Sequence, residues 1–225
     1  RLSGDFQWTV DLLSTDAALP IDDWLGKPAT LHTRLADGGR IPRSGPVREQ
    51  VGRLLNDRDG LMLGICNGFQ ALVKLGLVPY GEIVDADADS PTLTFNTVGY
   101  HQSRLVRTRV ASNLSPWLMN TAPGEIYTVA ISHGEGRFVA SEEMMADLIT
   151  RGQVATQYVD LEGNPTSEVG FNPNNSTYAV EGISSPDGRV LGKMGHTERV
   201  GEGLYKNVPG EFDMGLFTSA VQYFS

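Results

Sequence analysis

The spacing of apolar residues predicts alternating helices and strands from residue 46 onward. Pro46 precedes apolar residues at helical spacing, which indicates an amphipathic helix with proline in its first turn. The run LMLGIC is short and continuously apolar, as in a strand buried on both faces. Residues 67–77 return to helical spacing and reach Gly76, a residue type that commonly ends helices. Helix, strand and helix in this order are typical of an α/β fold.

Beyond residue 90 the same patterns predict further strands and helices. The predicted strands cover residues 127–132, 154–158, 178–183 and 189–194. Ser141 is suited to cap a helix over the residues that follow it, and the apolar residues between Leu216 and Phe224 predict a closing helix. Hairpin-like turns such as SSPDGR separate several of these strands, so we expect this part of the sheet to be partly antiparallel.

The chain divides into two parts by its pattern. Prolines and the pair Gly38 and Gly39 interrupt every apolar pattern in residues 1–45, which predicts an irregular segment there. Residues 46–225 are expected to form one globular domain. Because the sequence begins with Arg1 rather than Met, we interpret it as a piece of a longer polypeptide.

Composition and charge narrow the class of protein. The 225 residues are 40% hydrophobic, enough to bury a sizeable core. The 18 basic and 27 acidic residues give a net charge of -9, which disfavours binding to nucleic acid or to an anionic membrane. The chain has one cysteine, no apolar run of the roughly 20 residues that span a bilayer, and no signal-peptide pattern at its start. We therefore predict a cytoplasmic protein with no internal disulfide and no metal site.

The single cysteine, Cys66, lies where the predicted strand meets the predicted helix, between Gly64 and Gly68. A nucleophile at such a turn takes a strained backbone conformation, and flanking glycines remove the Cβ clashes that would prevent it. The helix N-terminus beyond it favours negative charge, on a thiolate or on a developing oxyanion. The alternative is a small buried hydrophobic residue, the commoner role of a lone cysteine. The surrounding strand, glycines and helix favour the nucleophile.

A thiol nucleophile needs a base, and a histidine is the usual one. The histidines of the chain are His32, His101, His133 and His196. His196 lies just beyond a predicted strand, and Glu198 follows two residues later, so in an extended segment both side chains point to the same side. This spacing suits a Cys–His–Glu triad, although a solvated surface loop has the same sequence pattern. His133 has Glu135 at the same spacing, and spacing alone leaves both histidines open.

Several blocks in a fixed order resemble a known family. GICNGFQ fits the GxCxGxQ nucleophile pattern of the class I (triad) glutamine amidotransferases, and SHGEGRF, SSPDGRV and GHTER follow it. The set is similar to the glutaminase part of formylglycinamidine ribonucleotide synthase (phosphoribosylformylglycinamidine synthase) of the large single-chain type. The similarity covers about residues 46–225. It implies an α/β, flavodoxin-like fold with a central, mostly parallel sheet flanked by helices.

The resemblance also implies roles for individual residues. Cys66 matches the nucleophile that attacks the side-chain amide of glutamine, His196 the acid and base, and Glu198 its orienting partner. The positions that match the oxyanion hole and the glutamine pocket are Asn67, Gly68 and Gln70. The candidates for the pocket or for contact with a synthetase part are His133, Glu135 and Arg137.

The resemblance further implies glutamine as the substrate and a synthetase part, on the same or a separate chain, as the partner. That part uses ammonia and ATP to convert formylglycinamide ribonucleotide to the amidine in purine biosynthesis. ATP and magnesium are implied only for the synthetase, because this chain lacks the phosphate-binding pattern GxxxxGK[ST], and no cofactor is expected here. Residues 19–34 faintly resemble the segment that joins the two parts, which makes residues 1–45 a candidate linker.

The chain departs from the family pattern before Cys66. The family's PGTNCE block and its PGGFSxGD block, whose backbone supplies half of the oxyanion hole, are absent from the sequence. We therefore expect a sheet that lacks its first strands. Because loss of one oxyanion donor typically lowers the rate about 100- to 1,000-fold, the alternative function is a weakly active or inactive amidotransferase-like interaction module. An unrelated cysteine hydrolase is less favoured, since the later blocks fit only the synthase branch.

Overall fold

A computed structural model describes residues 28–34 and 40–225. The chain forms two compact units, Arg1–Met62 and Leu63–Ser225, so the second unit begins at the strand that leads to Cys66. Within the described part of the chain, every helix is too short or too polar to cross a membrane.

The described part of the first unit is a β-hairpin followed by a helix. The strands β1 (Pro28–Arg34) and β2 (Arg40–Pro46) pair antiparallel. The helix α1 (Val47–Gly52) continues into a wider π-helical turn, Arg53–Asp57, which confirms the helix predicted after Pro46. Within residues 28–34 and 40–45 the hairpin differs from the irregular structure predicted for residues 1–45, and the rest of that segment lies outside the described residues. Prolines are compatible with it because each strand of a two-stranded sheet has a free edge, where a missing N–H costs no ladder hydrogen bond.

The second unit contains a six-stranded main sheet and a smaller two-stranded sheet among its described residues. These strands are β3 (Met62–Ile65), β4 (Thr92–Thr94), β5 (Gln102–Val110), β6 (Ile126–His133), β7 (Arg137–Val139), β8 (Val154–Tyr158), β9 (Val180–Ser184) and β10 (Val190–Lys193). The main sheet has the strand order β3, β10, β9, β8, β5, β6, and β4 pairs separately with β7. Its core lies around Val106, Val129 and Tyr158, which join β5, β6 and β8.

Helices flank these strands. They are α2 (Asn67–Lys74), α3 (Leu77–Tyr80), α4 (Glu142–Thr150) and α5 (Leu216–Tyr223). Gly76 follows α2 with φ 77°, the left-handed conformation that a helix-ending glycine adopts readily. The Ser141 hydroxyl accepts a hydrogen bond from the backbone N–H of Met144 at 3.1 Å and caps α4. The three helices predicted in this unit are therefore confirmed.

The α/β class is confirmed, and the direction of the strands is more antiparallel than the resemblance implied. β10 with β9, β9 with β8, β8 with β5 and β5 with β6 all pair antiparallel. The hairpin-like turns after residue 90 predicted this, because a short turn returns the chain in the opposite direction. For these strands the expectation of a mostly parallel sheet is corrected.

Four strands of the second unit differ from the sequence prediction, and two of them, β4 and β7, are short strands that were not predicted. In β3 only Gly64 is buried, while Met62, Leu63 and Ile65 are half-buried, so the prediction of a strand buried on both faces is wrong. Among the described residues β3 is an edge strand of the main sheet. This position accounts for the partial exposure of its side chains. β5 was not predicted, although its buried positions Val106, Thr108 and Val110 alternate with arginines, as in a strand with one solvated face.

Two glycines allow α2 to pack closely on the strands. A Cβ atom at Gly64 would lie 2.6 Å from the backbone carbonyl of Gly68, and one at Gly192 would overlap the ring of Phe69. Phe69 is fully buried and stacks on Phe138 with 6.4 Å between ring centroids. The glycines thus fix the distance between the start of α2 and strand β10, which determines where Cys66 is held.

Candidate active site

The turn at Cys66 has the strained geometry that the sequence predicts for a nucleophile. Cys66 has φ 55° and ψ -108°, a conformation that costs a residue with a side chain about 1–3 kcal/mol. Its N–H donates to the Lys193 carbonyl at 2.9 Å, and its own carbonyl accepts from the N–H of Gln70 at 3.1 Å. The side chain is partly exposed. The turn therefore holds a thiol, within reach of solvent, at the N-terminus of α2.

His196 and Glu198 form the predicted hydrogen bond. His196 Nδ1 lies 2.6 Å from Glu198 Oε1. The His196 N–H donates to the Ala130 carbonyl at 2.8 Å, which ties the segment to β6. The path of the backbone differs from the extended segment assumed above, because the Arg199 N–H donates to the His196 carbonyl at 3.2 Å and closes a turn. Glu198 reaches the imidazole from this turn.

The electrostatic environment of His196 favours its protonated form. Contact with the Cys66 side chain, followed by the hydrogen bond to Glu198, raises the pKa of His196 from 6.5 to about 9. Partial burial raises the pKa of Glu198, but the hydrogen bond with His196, a backbone hydrogen bond and the charges of His196 and Arg199 together outweigh burial, so the net pKa of Glu198 is lowered. The other ring nitrogen, Nε2, is buried and makes no hydrogen bond of ordinary geometry with the described residues. The imidazole therefore has one nitrogen fixed by a carboxylate and one available to the thiol.

The end of β6 lies beside the thiol, and the loop that follows β6 is bonded to α2. The Cys66 Sγ lies 3.7 Å from the carbonyl oxygen of Ser132. The Ser132 Oγ lies 3.0 Å from His101 Nε2. Gln70 Nε2 donates to the Glu135 carbonyl at 2.6 Å, so the side chain predicted to line the glutamine pocket connects α2 to this loop.

His133, the competing candidate base, has a different environment. It is 4% exposed, and neither ring nitrogen has a hydrogen-bond partner within the described ranges. Burial, followed by the nearby His101, lowers the pKa of His133 to about 4. Asn96 fixes the surrounding loop, because its side chain donates to the His133 carbonyl at 2.9 Å and accepts from the Gly136 N–H at 3.0 Å. The geometry thus pairs Glu198 with His196, whereas Glu135 is exposed.

The remaining predicted positions surround this centre. A Cβ atom at Gly68 would meet nothing within 4 Å, so space is open beside the first turn of α2, where Asn67 is exposed. Arg137 Nε donates to the Asn175 carbonyl at 3.3 Å. The oxyanion, pocket and interdomain roles of these residues stay predictions. Among the described residues, no group of three His, Cys, Asp or Glu side chains could hold a metal ion.

The sequence interpretation missed two features near the site. One is the Ser132 carbonyl beside the thiol, for which the sequence has no signal because every residue has a carbonyl. The other is the pair Glu181 and Lys193, whose side chains are fully buried and 3.1 Å apart. Here a signal exists, because the apolar strands VEGIS and VLGK each carry one charge of opposite sign.

Comparisons with known proteins agree with this geometry. Residues 38–224 match the CobB/CobQ-like glutamine amidotransferase domain. The phosphoribosylformylglycinamidine synthase subunit PurQ of Gloeobacter violaceus is 35% identical over 187 residues, 81% of this chain and 72% of that protein. The subunit of the same name from Salinibacter ruber is 32% identical, over 83% of this chain and 72% of that protein.

A solved structure supports the same assignment. One chain in the structure of PurLQS from Thermotoga maritima superimposes on this chain with a TM-score of 0.60 and 27% sequence identity. The match covers 80% of this chain and 69% of that chain. The family match spans most of the sequence, and it includes the strained Cys66 turn and the His196–Glu198 hydrogen bond. The chain therefore belongs to the CobB/CobQ-like glutamine amidotransferase family, together with the PurQ subunits of phosphoribosylformylglycinamidine synthase.

Proposed function

We propose that this chain hydrolyses glutamine to glutamate and ammonia through a thioester on Cys66. The ammonia is supplied to an ATP-dependent synthetase that converts formylglycinamide ribonucleotide to formylglycinamidine ribonucleotide in purine biosynthesis. The observation that supports this most is the lone thiol on a strained turn, beside a histidine whose pKa is raised to about 9 by that thiol and by Glu198. The PurQ relatives point to the same pathway.

In the proposed first half-reaction, the Cys66 thiolate attacks the side-chain amide carbon of glutamine. The N–H groups at the start of α2, beginning with Asn67, donate hydrogen bonds to the oxyanion. Protonated His196 donates a proton to the amide nitrogen, the C–N bond breaks, and ammonia leaves. A glutamyl thioester remains on Cys66.

In the second half-reaction, neutral His196 accepts a proton from water as the water attacks the thioester carbon. The C–S bond breaks, glutamate is released, and the Cys66 thiolate and protonated His196 are regenerated. Glu198 fixes the orientation of the imidazole by accepting a hydrogen bond from Nδ1, and it stabilises the imidazolium that is present before the first half-reaction and after the second. No metal or cofactor takes part in these steps.

The partner proposed is a formylglycinamidine ribonucleotide synthetase, on the same or a separate chain. The PurLQS similarity and the subunit names of the relatives support this choice. ATP and magnesium belong to that synthetase in this proposal. The cytoplasmic location predicted from the sequence stays a prediction.

Glutamate release from glutamine, measured with the synthetase, ATP and formylglycinamide ribonucleotide present, tests the proposal. Cys66→Ser is expected to abolish glutamate release, because the hydroxyl is a far weaker nucleophile at neutral pH. The control is amidation with ammonium chloride in place of glutamine, which should proceed at the wild-type rate in the Cys66→Ser complex. Turnover of glutamine that persists without the thiol would contradict the proposal.

The second candidate is a weakly active or inactive interaction module, which the absence of the PGGFSxGD block from the sequence favours. It predicts stable binding to the synthetase with no glutamate released, even in the complex. Hydrolysis of esters or peptides with indifference to glutamine would instead identify an unrelated cysteine hydrolase. The same assay therefore distinguishes the candidates.

A further inference from the structure

Glu181 and Lys193 form a fully buried ion pair beside the site. Both side chains are 0% exposed, and Lys193 Nζ lies 3.1 Å from Glu181 Oε1. Removing two such charges from water costs several kcal/mol for each ion, and the pair recovers this only with good geometry and additional hydrogen bonds. A buried pair of this kind is weak evidence for stability. Its role is therefore better judged from the groups to which the two side chains are hydrogen-bonded.

Those partners include both backbone groups of one peptide residue, Gly195. The Gly195 N–H donates to Glu181 Oε1 at 2.5 Å, and the Gly195 carbonyl accepts from Lys193 Nζ at 3.2 Å. The Thr156 hydroxyl donates to the second carboxylate oxygen of Glu181. A Cβ atom at Gly195 would lie 2.8 Å from Glu181 Oε1, so glycine allows the ion pair to approach the backbone this closely.

The Glu181–Lys193 pair provides hydrogen bonds to backbone groups that lie beyond the end of β10. β10 ends at Lys193, and beyond it the Gly195 carbonyl accepts a backbone hydrogen bond from the Thr197 N–H at 3.1 Å, whereas the Gly195 N–H donates to the Glu181 side chain. Buried backbone groups of this kind need partners. A carboxylate and an ammonium make the strongest such hydrogen bonds, about twice as strong as neutral ones.

Lys193 is linked to the Cys66 turn through its backbone and to the residue before His196 through its side chain. Its backbone carbonyl accepts the hydrogen bond from the Cys66 N–H at 2.9 Å. Its side chain holds Gly195, and Gly195 directly precedes His196. The strained thiol turn and the histidine turn are thus attached to the same residue.

We propose that Glu181 and Lys193 are positioning residues, which clamp the Gly195 peptide and thereby hold the His196 imidazole against the Cys66 thiol. This proposal rests on the proposed function for its effect on turnover. Neither side chain touches substrate. Their effect is on the approach of imidazole and thiol, which governs both glutamine hydrolysis and the reactivity of Cys66.

Lys193→Met in the full chain with its synthetase tests the proposal. We expect kcat for glutamine hydrolysis to fall about 100-fold, the cost of a displacement of about 1 Å, with KM near the wild-type value. Alkylation of Cys66 by iodoacetamide, followed by mass spectrometry, should slow about tenfold at pH 7 and be unchanged at pH 10, where ordinary thiols are ionised. Circular dichroism and thermal unfolding establish the folded fraction.

Two controls separate positioning from general destabilisation. Leu148→Ala removes a buried side chain from α4 and should lower the unfolding temperature, while kcat and alkylation stay at wild-type values below that temperature. Thr156→Val removes a hydrogen bond to Glu181 but leaves both bonds to Gly195, and should lower kcat much less than Lys193→Met. A folded Lys193→Met protein that behaves like Leu148→Ala overturns the proposal.

Lys193→Met leaves Glu181 buried without its charged partner, and the protein could fail to fold for that reason. In that case kcat of the double variant Glu181→Leu with Lys193→Met tests the positioning role. Replacing both charges by apolar side chains is often neutral for stability, yet the Gly195 clamp is still lost. The same 100-fold loss of kcat, about 2.7 kcal/mol, is expected. Wild-type kcat in this variant overturns the positioning role. A wild-type protein that does not hydrolyse glutamine contradicts the proposed function instead, and the alkylation rates then test positioning alone.

Discussion

His133 and His196 have the same sequence pattern and opposite environments. His133 is the last residue of β6 and His196 lies three residues beyond β10, and each is followed by a glutamate two residues later. At His196 the glutamate bonds the ring at 2.6 Å, and the thiol and the carboxylate raise the pKa to about 9. At His133 the ring is buried without hydrogen-bond partners among the described residues, and burial lowers the pKa to about 4.

The difference shows that the path of the backbone, rather than the spacing, decides which carboxylate reaches which ring. After His196 a turn brings Glu198 back to Nδ1. After His133 the chain runs through Gly134, the Glu135 side chain points into solvent, and only its carbonyl is used, as an acceptor for Gln70. One histidine is thereby charged at neutral pH and the other neutral.

The largest expected effect comes from making the same substitution at both histidines. His196→Asn should lower kcat for glutamine hydrolysis by about 10⁴-fold, because the proton donor and acceptor is lost. His133→Asn should cause a much smaller loss, since a ring with a pKa of about 4 is a weak base and is not protonated at neutral pH. The rate of glutamate release gives kcat for each of the two variants. Equal losses would show that the two environments do not differ in function.

The next effect isolates the carboxylate at His196. Glu198→Gln should lower kcat by about 100-fold, because the imidazolium loses its charged partner. The pKa of His196 should move down from about 9 towards 6.5, which NMR titration of the imidazole can follow. The matched control is Asp147→Asn, which breaks an exposed ion pair with Arg151 on α4 and should change neither quantity. An unchanged His196 titration in Glu198→Gln contradicts the assignment.

A smaller effect tests the enclosure of His133. Gly136→Ala would place a methyl group against the His133 ring and should lower the free energy of unfolding by about 1–3 kcal/mol. Gly134→Ala is the matched control, because a Cβ atom there meets nothing within 4 Å. Urea denaturation of the two variants measures the difference. Similar stabilities would mean that the His133 ring can move aside.

The smallest effect is the pH dependence of stability, which has opposite signs at the two histidines. The folded-state pKa of His196 is raised, so its stabilising contribution is present below pH 6.5 and is lost as pH rises towards 9. The folded-state pKa of His133 is lowered, so the folded state loses stability as pH falls from 6.5 towards 4.

Denaturation of the wild type and of both asparagine variants across pH 4 to 9 checks these signs. His196→Asn should flatten the alkaline side of the stability curve, and His133→Asn should flatten the acidic side. If either variant flattens the other side instead, the assignment of the two environments is wrong.

Local patterns predicted much of the fold. The strand–turn–helix around Cys66, the Ser141 cap and the antiparallel strands after residue 90 depend on neighbours in the sequence, and the structure confirms them. β5 and the hairpin of β1 and β2 were not predicted, because arginines and prolines concealed the strand pattern. The mostly parallel sheet followed from resemblance alone, and the pairings of β5, β6, β8, β9 and β10 correct it.

The sequence by itself determined where the candidate nucleophile lies, because the glycines, the strand β3 and the helix α2 around Cys66 are all within ten residues of it. Only the tertiary structure decided which histidine is bonded by its neighbouring glutamate and which buried charges bond the residue before that histidine. The pKa of an imidazole depends on burial and on charges brought from distant strands, and the Gly195 clamp joins β9 and β10 through Glu181 and Lys193. No spacing along the chain encodes these distances.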